Sequence, residues 1–285
     1  MKLSTLLETL KKDKKQNRLS SKRVSNIYNK NRKGTRLTFN EIFAYAKTIP
    51  FIHGTKFENI KNILNSRELL SHEKLYGDEA NVNTFPLDIF LGTNKNIFFS
   101  WGIPCEHCFD GIFFLYSYNV MKQQSAYTQM KDVAEIFGDL VDKNMFYGNI
   151  NPDEYSRTHP SDMEPEDLNI LDKKMQKTRF SIKDFIRIQA YLMWRFAGKN
   201  RINNLEQLIR SFFVKKSENG YNEIHVISQI DIRKASKIVY IGRSDVGISN
   251  FFLKTKKKYG INIIDSGKEY IKFTERTFLI DIFNE

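Results

Sequence analysis

The hydrophobic pattern changes period three times along the chain, and the changes divide it. Thr38 and Asn40 stand ready to cap a helix through Ile42, Phe43 and Ala46 that must end before Pro50. Phe51 and Ile52 suit a short strand. His53 and Gly54 then sit on a strand-to-helix turn, where backbone donors and the helix N-terminus can receive an anionic or polar ligand: the pair Thr55 and Glu58 has the spacing of a capping box, and Phe57, Ile60, Ile63 and Leu64 share one helical face. The stretch 66–96 is polar and reads as a long loop around a short strand. Aromatic and β-branched runs at 89–91, 97–99 and 111–118 predict strands.

The middle follows the helical period. Val133, Ile136, Phe137 and Leu140 make a stripe over 128–142, and 147–168 is an irregular, Asn/Asp/Pro-rich connection. Ser181 and Asp184 then cap a helix over about 182–197 (Phe185, Ile188, Leu192, Phe196), and Leu205, Leu208, Ile209 and Phe212 mark another near 204–214. The last third returns to strands at 223–228, 237–241, 261–264 and 277–282. Strands, then helices, then strands predict an α+β fold rather than alternating βαβ units. We divide the chain into an arm, 1–36, and a body, 37–285, with a helical insertion at about 122–216.

Charge separates the same two parts. The chain of 285 residues carries 45 Lys and Arg against 33 Asp and Glu, for a net charge of +12. Twelve of those cations lie in residues 1–36, opposed there only by Glu8 and Asp13, so the body is close to neutral. A basic arm on a neutral body suits contact with nucleic-acid phosphates; a solvated tail or a partner-binding helix (Leu3, Leu6, Leu7 and Leu10 share a face) remain open for it. The 41% hydrophobic content, with 23 Phe and 13 Tyr, is that of a folded protein. No apolar run spans a bilayer and the N-terminus lacks a signal-peptide core, so the expectation is a cytoplasmic protein with no membrane span, or one delivered into a target cell without a classical signal. Cys105 and Cys108 are too few for a disulfide framework. With His107 they offer three zinc ligands where a structural site takes four, so no metal is expected. The sequences of a P-loop, a dinucleotide fingerprint and a nucleophile elbow are all absent.

Five segments in order carry a resemblance. They are His53-Gly54-Thr55, the helix Asn59-Ile60 to Ile63-Leu64, Asn96-Ile-Phe-Phe-Ser-Trp-Gly102, Tyr221-Asn-Glu-Ile-His-Val-Ile-Ser228, and Ile238-Val-Tyr-Ile-Gly242. Together they resemble the ADP-ribosyltransferase superfamily. The His-Gly-Thr and Ile-Phe-Phe-Ser segments are similar to its poly(ADP-ribose) polymerase branch. The Asn-Glu-Ile-His-Val-Ile segment is similar to the DarT-like bacterial toxins, some of which modify DNA or RNA. The resemblance covers about 50–118 and 220–242. It implies a split mixed or antiparallel β-sheet that holds NAD as substrate in a cleft.

By the same resemblance, His53 would hydrogen-bond a ribose hydroxyl of NAD, Gly54 would hold the nicotinamide carboxamide and Thr55 would support it. Phe98 would stack on nicotinamide, with Ser100 beside the cofactor. Glu223 would be the catalytic carboxylate, binding the 2′-hydroxyl and stabilising the oxocarbenium ion that forms when nicotinamide leaves. Tyr221 and Trp101 would face the acceptor. The chain departs from both branches: Phe109 or Asp110 stands where the polymerases carry a tyrosine, Trp101 follows Ser100, and Tyr221 lies two before Glu223. The expectation is therefore a single transfer of ADP-ribose to a macromolecule, nucleic acid before protein, by a bacterial toxin or effector that an antitoxin would hold in check. An NAD glycohydrolase or RNA 2′-phosphotransferase on the same scaffold, and a non-catalytic nucleic-acid-binding protein, are the alternatives.

Overall fold

A computed structural model of the chain describes residues 34–76, 93–103, 111–128, 179–217 and 223–267. The expected strands at 89–91 and 277–282, the helical stripe at 128–142, the connection at 147–168, the Cys105–Cys108 segment and residues 1–33 of the arm lie outside them.

The first described helix, α1 (Phe39–Ala46), begins where its sequence says it should. Thr38 Oγ1 accepts from the Glu41 amide (3.2 Å) while Glu41 Oε2 accepts from the Thr38 amide (2.7 Å), a reciprocal capping box. Strand β1 (Phe51–Thr55) follows, then a single 3₁₀ turn and the short helix α2 (Ile60–Ser66), which Arg67 closes in the left-handed region at φ 60°. The polar stretch beyond contains β2 (Glu68–Leu70) and α3 (His72–Tyr76). Next come β3 (Asn96–Trp101), β4 (Gly111–Tyr116), the turn of helix α4 (Tyr118–Met121), β5 (Ala126–Thr128) and β6 (Phe180–Ser181). Two long helices follow, α5 (Ile182–Asn200), capped by Ser181 Oγ on the Asp184 amide, and α6 (Leu205–Ser217). The remaining elements are β7 (Glu223–Ile227), β8 (Gln229–Asp231), β9 (Lys237–Ile241), α7 (Val246–Tyr259) and β10 (Ile263–Asp265).

The result is α+β, with one eight-stranded mixed sheet in the order β10-β9-β4-β1-β3-β7-β5-β6, and a two-stranded ribbon of β2 and β8. Adjacent strands of the large sheet run antiparallel except β9 and β10, which are parallel and joined through α7. Parallel neighbours require such a crossover. Helix α7 falls between the expected strands at 237–241 and 261–264, where the periodicity predicts no element. Asp245 caps it through the Ile248 amide (2.8 Å), and Gly260 ends it at φ 70°. The stretch expected as a helical insertion supplies α5 and α6 but also β5 and β6, which extend the sheet beyond β7.

Strand alternation gives the sheet two unlike faces. On one, Phe51, Phe99, Trp101, Phe114, Tyr116 and Ile224 pack with α1, α5 and α6 into the main core. Phe185 of α5 meets Trp101 edge-on (5.6 Å) and Phe51 (6.5 Å), and Phe213 of α6 lies 5.1 Å from Trp101. On the other, Ile52, Phe113, Leu115, Val239 and Ile241 form a small second cluster. The root of the arm is fixed to the helical side. Thr35 Oγ1 donates to the Ile202 carbonyl (2.6 Å), the Arg36 amide donates to Asn203 Oδ1 (2.6 Å), and Gly34, at φ 106°, approaches Gly198 so closely that a Cβ would stand 2.1 Å from its carbonyl oxygen.

Phe185 carries the contact between α5 and the centre of the sheet. Phe185→Ala should cost about 3–5 kcal/mol in urea unfolding. A loss below about 1 kcal/mol would show that α5 is held elsewhere.

Candidate active site

Strands β1 and β3 are partners for only two residue pairs, Phe51 with Trp101 and Ile52 with Ser100. Beyond them β1 continues along β4 as far as Thr55 opposite Ile112, while β3 continues along β7 as far as Asn96 opposite Ile227. The sheet therefore opens between β1 and β3, and His53 is the first residue past the last shared pair.

His53 bridges that opening. Its Nδ1 lies 2.8 Å from the Phe98 carbonyl oxygen, and its ring sits 5.4 Å from that of Phe99. A carbonyl can only accept, so Nδ1 carries the proton and donates. Burial lowers the imidazole pKa and outweighs the opposing effect of the Phe98 hydrogen bond, which keeps the ring neutral. Nε2 is then a lone-pair acceptor, without a hydrogen-bond partner among the described residues.

Glu223 opens β7 opposite Ser100, on the face away from the helices. Two strand spacings separate it from Ile52, or about 10 Å between backbones. Its carboxylate Oε1 lies 3.0 Å from His225 Nε2; the Glu223 side chain is 19% exposed and that of His225 1%. The Glu223 carbonyl accepts from Thr128 Oγ1 at 2.7 Å. His225 is stacked on Tyr127 (4.8 Å, 9°) and met edge-on by Phe98 (5.1 Å). Asn96 Nδ2 donates to the Tyr127 hydroxyl (2.9 Å) and faces His225 Nδ1 at 3.4 Å. The Arg179 guanidinium covers the Tyr127 ring at 4.2 Å. This is a polar assembly built on β3, β5 and β7.

The residues singled out in the sequence are distributed unevenly over this arrangement. Phe98, Ser100 and Glu223 share one face of the sheet, with Gly54 in the same alternation across the opening; His53 and Thr55 alternate to the other. Ser100 Oγ reaches the Ile52 carbonyl at 3.4 Å, across the last shared pair. His53 and Gly54 lie in β1, which runs on through Thr55, so they do not form a strand-to-helix turn. The Thr55–Glu58 capping box is not made: Thr55 Oγ1 accepts from Asn59 Nδ2 (3.0 Å), Glu58 pairs with Lys56 (3.8 Å), and the helical start has no side-chain cap. The helix behind β1 is too short to offer an anion site at its N-terminus. Trp101 is fully buried, on the core face between Phe185 and Phe213, and does not reach the opening. Tyr221 lies outside the described residues. Sequence reasoning passed over His225, Tyr127, Asn96 and Arg179. The signal for His225 was present, since a histidine two residues after Glu223 in a strand must share its face.

Among the described residues no group of His, Cys, Asp and Glu is arranged to hold a metal ion, and no helix is long and apolar enough to cross a membrane. Comparison with known proteins finds no family model, curated protein or solved structure that matches the chain.

The neutral state of His53 has a consequence for stability. In the unfolded chain the ring takes a proton near its ordinary value of 6.5, whereas the folded chain resists it. The unfolded state thus binds more protons below that pH, and acidification favours unfolding by at most about 1.4 kcal/mol per pH unit for this one group. Between about pH 7 and pH 5, wild type should lose stability faster than His53→Gln in denaturant titrations. Parallel losses in the two proteins would mean that the ring is not held neutral.

Proposed function

We propose that the chain is a mono-ADP-ribosyltransferase that cleaves NAD and transfers ADP-ribose to a macromolecule. The observation that supports this best is the opening between β1 and β3. A neutral histidine whose acceptor nitrogen has no partner among the described residues stands in the gap, and a glutamate in contact with His225 stands on the next strand but one, on the opposite alternation. NAD bears ribose hydroxyls, which donate to such a nitrogen, and a glycosidic bond that breaks with positive charge on the ribose.

In this reading His53 Nε2 accepts from a ribose hydroxyl and orients the nicotinamide ribose. The C1′–N bond breaks, the electron pair leaves with nicotinamide, and the oxocarbenium ion forms beside the Glu223 carboxylate. A preorganised charge at that position lowers the barrier because it is already fixed when the positive charge develops. The acceptor nucleophile then bonds to C1′ and gives up its proton to the Glu223 carboxylate. Phe98 shares the face of Glu223, where its ring meets that of His225 edge-on. The basic arm favours nucleic acid as acceptor, as expected for a toxin or effector.

Incubation with NAD labelled in its adenylate half tests the reading. Label on nucleic acid or protein is the expected result; free ADP-ribose alone would make the chain a glycohydrolase, and no turnover would remove the enzyme reading. Glu223→Gln keeps the size of the side chain but removes its charge, and should lower kcat about 10²–10³-fold. His53→Ala should raise the Kd for NAD as well as lower turnover. Unchanged NAD affinity in a titration would take His53 out of the site.

Removing residues 1–33 leaves the anchored root of the arm in place. The truncated protein should show a raised KM for nucleic acid and a flatter salt dependence, whose log–log slope is about −0.7 per phosphate contact on a single strand. Hydrolysis of NAD should be unaffected. Equal modification of nucleic acid by both proteins at physiological salt would make the arm a partner-binding or solubility element.

A further inference from the structure

We infer that His225 is the positioning residue of the Glu223 carboxylate, the middle member of a relay Asn96–His225–Glu223 that fixes where the negative charge stands. The inference rests on the transferase reading for what the carboxylate does, but the relay itself is built from contacts within the protein.

Hydrogen-bond accounting sets the direction of the relay. The carboxylate can only accept, so His225 Nε2, 3.0 Å from Glu223 Oε1, carries a proton. The Asn96 amide nitrogen can only donate. It faces His225 Nδ1 at 3.4 Å, so in the neutral ring Nδ1 is the acceptor. The two protons of that amide go to two acceptors, the second being the Tyr127 hydroxyl at 2.9 Å. Each polar atom of His225 therefore has one role. This is the Nε2–H tautomer, opposite to the Nδ1–H tautomer that the Phe98 carbonyl imposes on His53.

Packing removes the remaining freedom of the ring. Tyr127 lies flat against it at 4.8 Å, with the Arg179 guanidinium on that tyrosine at 4.2 Å, and the Phe98 edge meets it at 5.1 Å. His225 is 1% exposed and Glu223 19%, so the buried ring is the fixed partner and the carboxylate the accessible one. The backbone of Glu223 is held separately, through its carbonyl, by Thr128. A glutamate has three side-chain torsions to order. Here a donor that helps to order them is locked by aromatic contacts and by an amide, on three adjacent strands. Groups that hold a reacting side chain in this way set its orientation, and their loss typically reduces activity about 10–100-fold without removing the reacting group.

Three variants of the full-length protein test this. His225→Phe keeps an aromatic ring between Tyr127 and Phe98 but deletes both nitrogens. It should lower kcat for NAD cleavage about 10–100-fold with KM for NAD within about threefold, because ribose recognition by His53 is unaltered. His225→Gln restores an N–H donor near the Nε2 position and should recover at least about half of that loss on a logarithmic scale. Asn96→Leu should lower kcat in the same direction by a smaller factor. A His225→Phe protein with wild-type kcat would overturn the inference, as would equal losses in the Phe and Gln variants.

A readout independent of turnover separates this inference from the transferase reading. In ¹⁵N-labelled wild-type protein, the His225 imidazole should show the Nε2–H tautomer, and Glu223→Ala should shift its Nε2 resonance. If wild type does not cleave NAD, the function fails while this spectrum still decides the relay. An Nδ1–H tautomer at His225, or no response to Glu223→Ala, overturns the relay whatever the activity.

Discussion

The parting of β1 from β3 is the constraint around which the rest of the molecule is arranged. An opening inside a sheet leaves backbone groups without ladder partners, and each such group must find another. At the Phe98 carbonyl the substitute is the His53 imidazole. The bond that repairs the ladder also fixes the tautomer of the histidine and aims its second nitrogen away. Structural need and chemical potential are thus met by one side chain. The opening is limited on its closed end by the Ile52–Ser100 pair, and directly behind that end Phe51 and Trp101 lock onto Phe185. An aromatic cluster of the core therefore braces the point where the sheet divides.

Behind the opening the face away from the helices is divided chemically. Towards β4 and β9 it carries Ile52, Phe113, Leu115, Val239 and Ile241, a small apolar cluster. Towards β7 and β5 it carries Asn96, Ser100, Glu223, His225 and Tyr127. Burying so polar a set is tolerable only when donors and acceptors are matched, and here the contacts run in sequence from the tyrosine hydroxyl through the asparagine and histidine to the carboxylate. The root of the basic arm, at Thr35 and Arg36, is anchored beside the end of α5 on the helical side, so the charge run and the carboxylate belong to opposite sides of the sheet at their points of attachment.

Much of this architecture was legible from local rules. The capping pairs Thr38–Glu41 and Ser181–Asp184 mark where α1 and α5 begin, because each satisfies amides that the helix itself cannot. The aromatic, β-branched runs of β3, β4, β7 and β9 announce themselves as strands, and β9 has the bounds its pattern predicts. Where local rules misled, a neighbouring strand had prevailed. Thr55 has the spacing of a helix cap but is opposite Ile112 in a ladder, and a ladder hydrogen-bond partner competes directly with a capping role. Helix α7 was hidden because its buried residues are few, Phe252 and Thr255, and its last turn is lysine.

The sequence by itself determined α1, α5, α6 and the strands β3, β4, β7 and β9, the α+β class, the separation of a basic arm from a neutral body, and that Glu223 and His225 must point the same way. Those properties follow from composition and from periods of two and 3.6 residues, which act over a few neighbours. Only the tertiary structure decided that β1 and β3 share two pairs and no more, that His53 reaches the Phe98 carbonyl, that Trp101 belongs to the core, and that Asn96, Tyr127 and Arg179 gather behind a histidine as many as 129 residues from its partner in sequence. Register and strand order are set by the sum of long-range packing, and no stretch of sequence carries that sum alone.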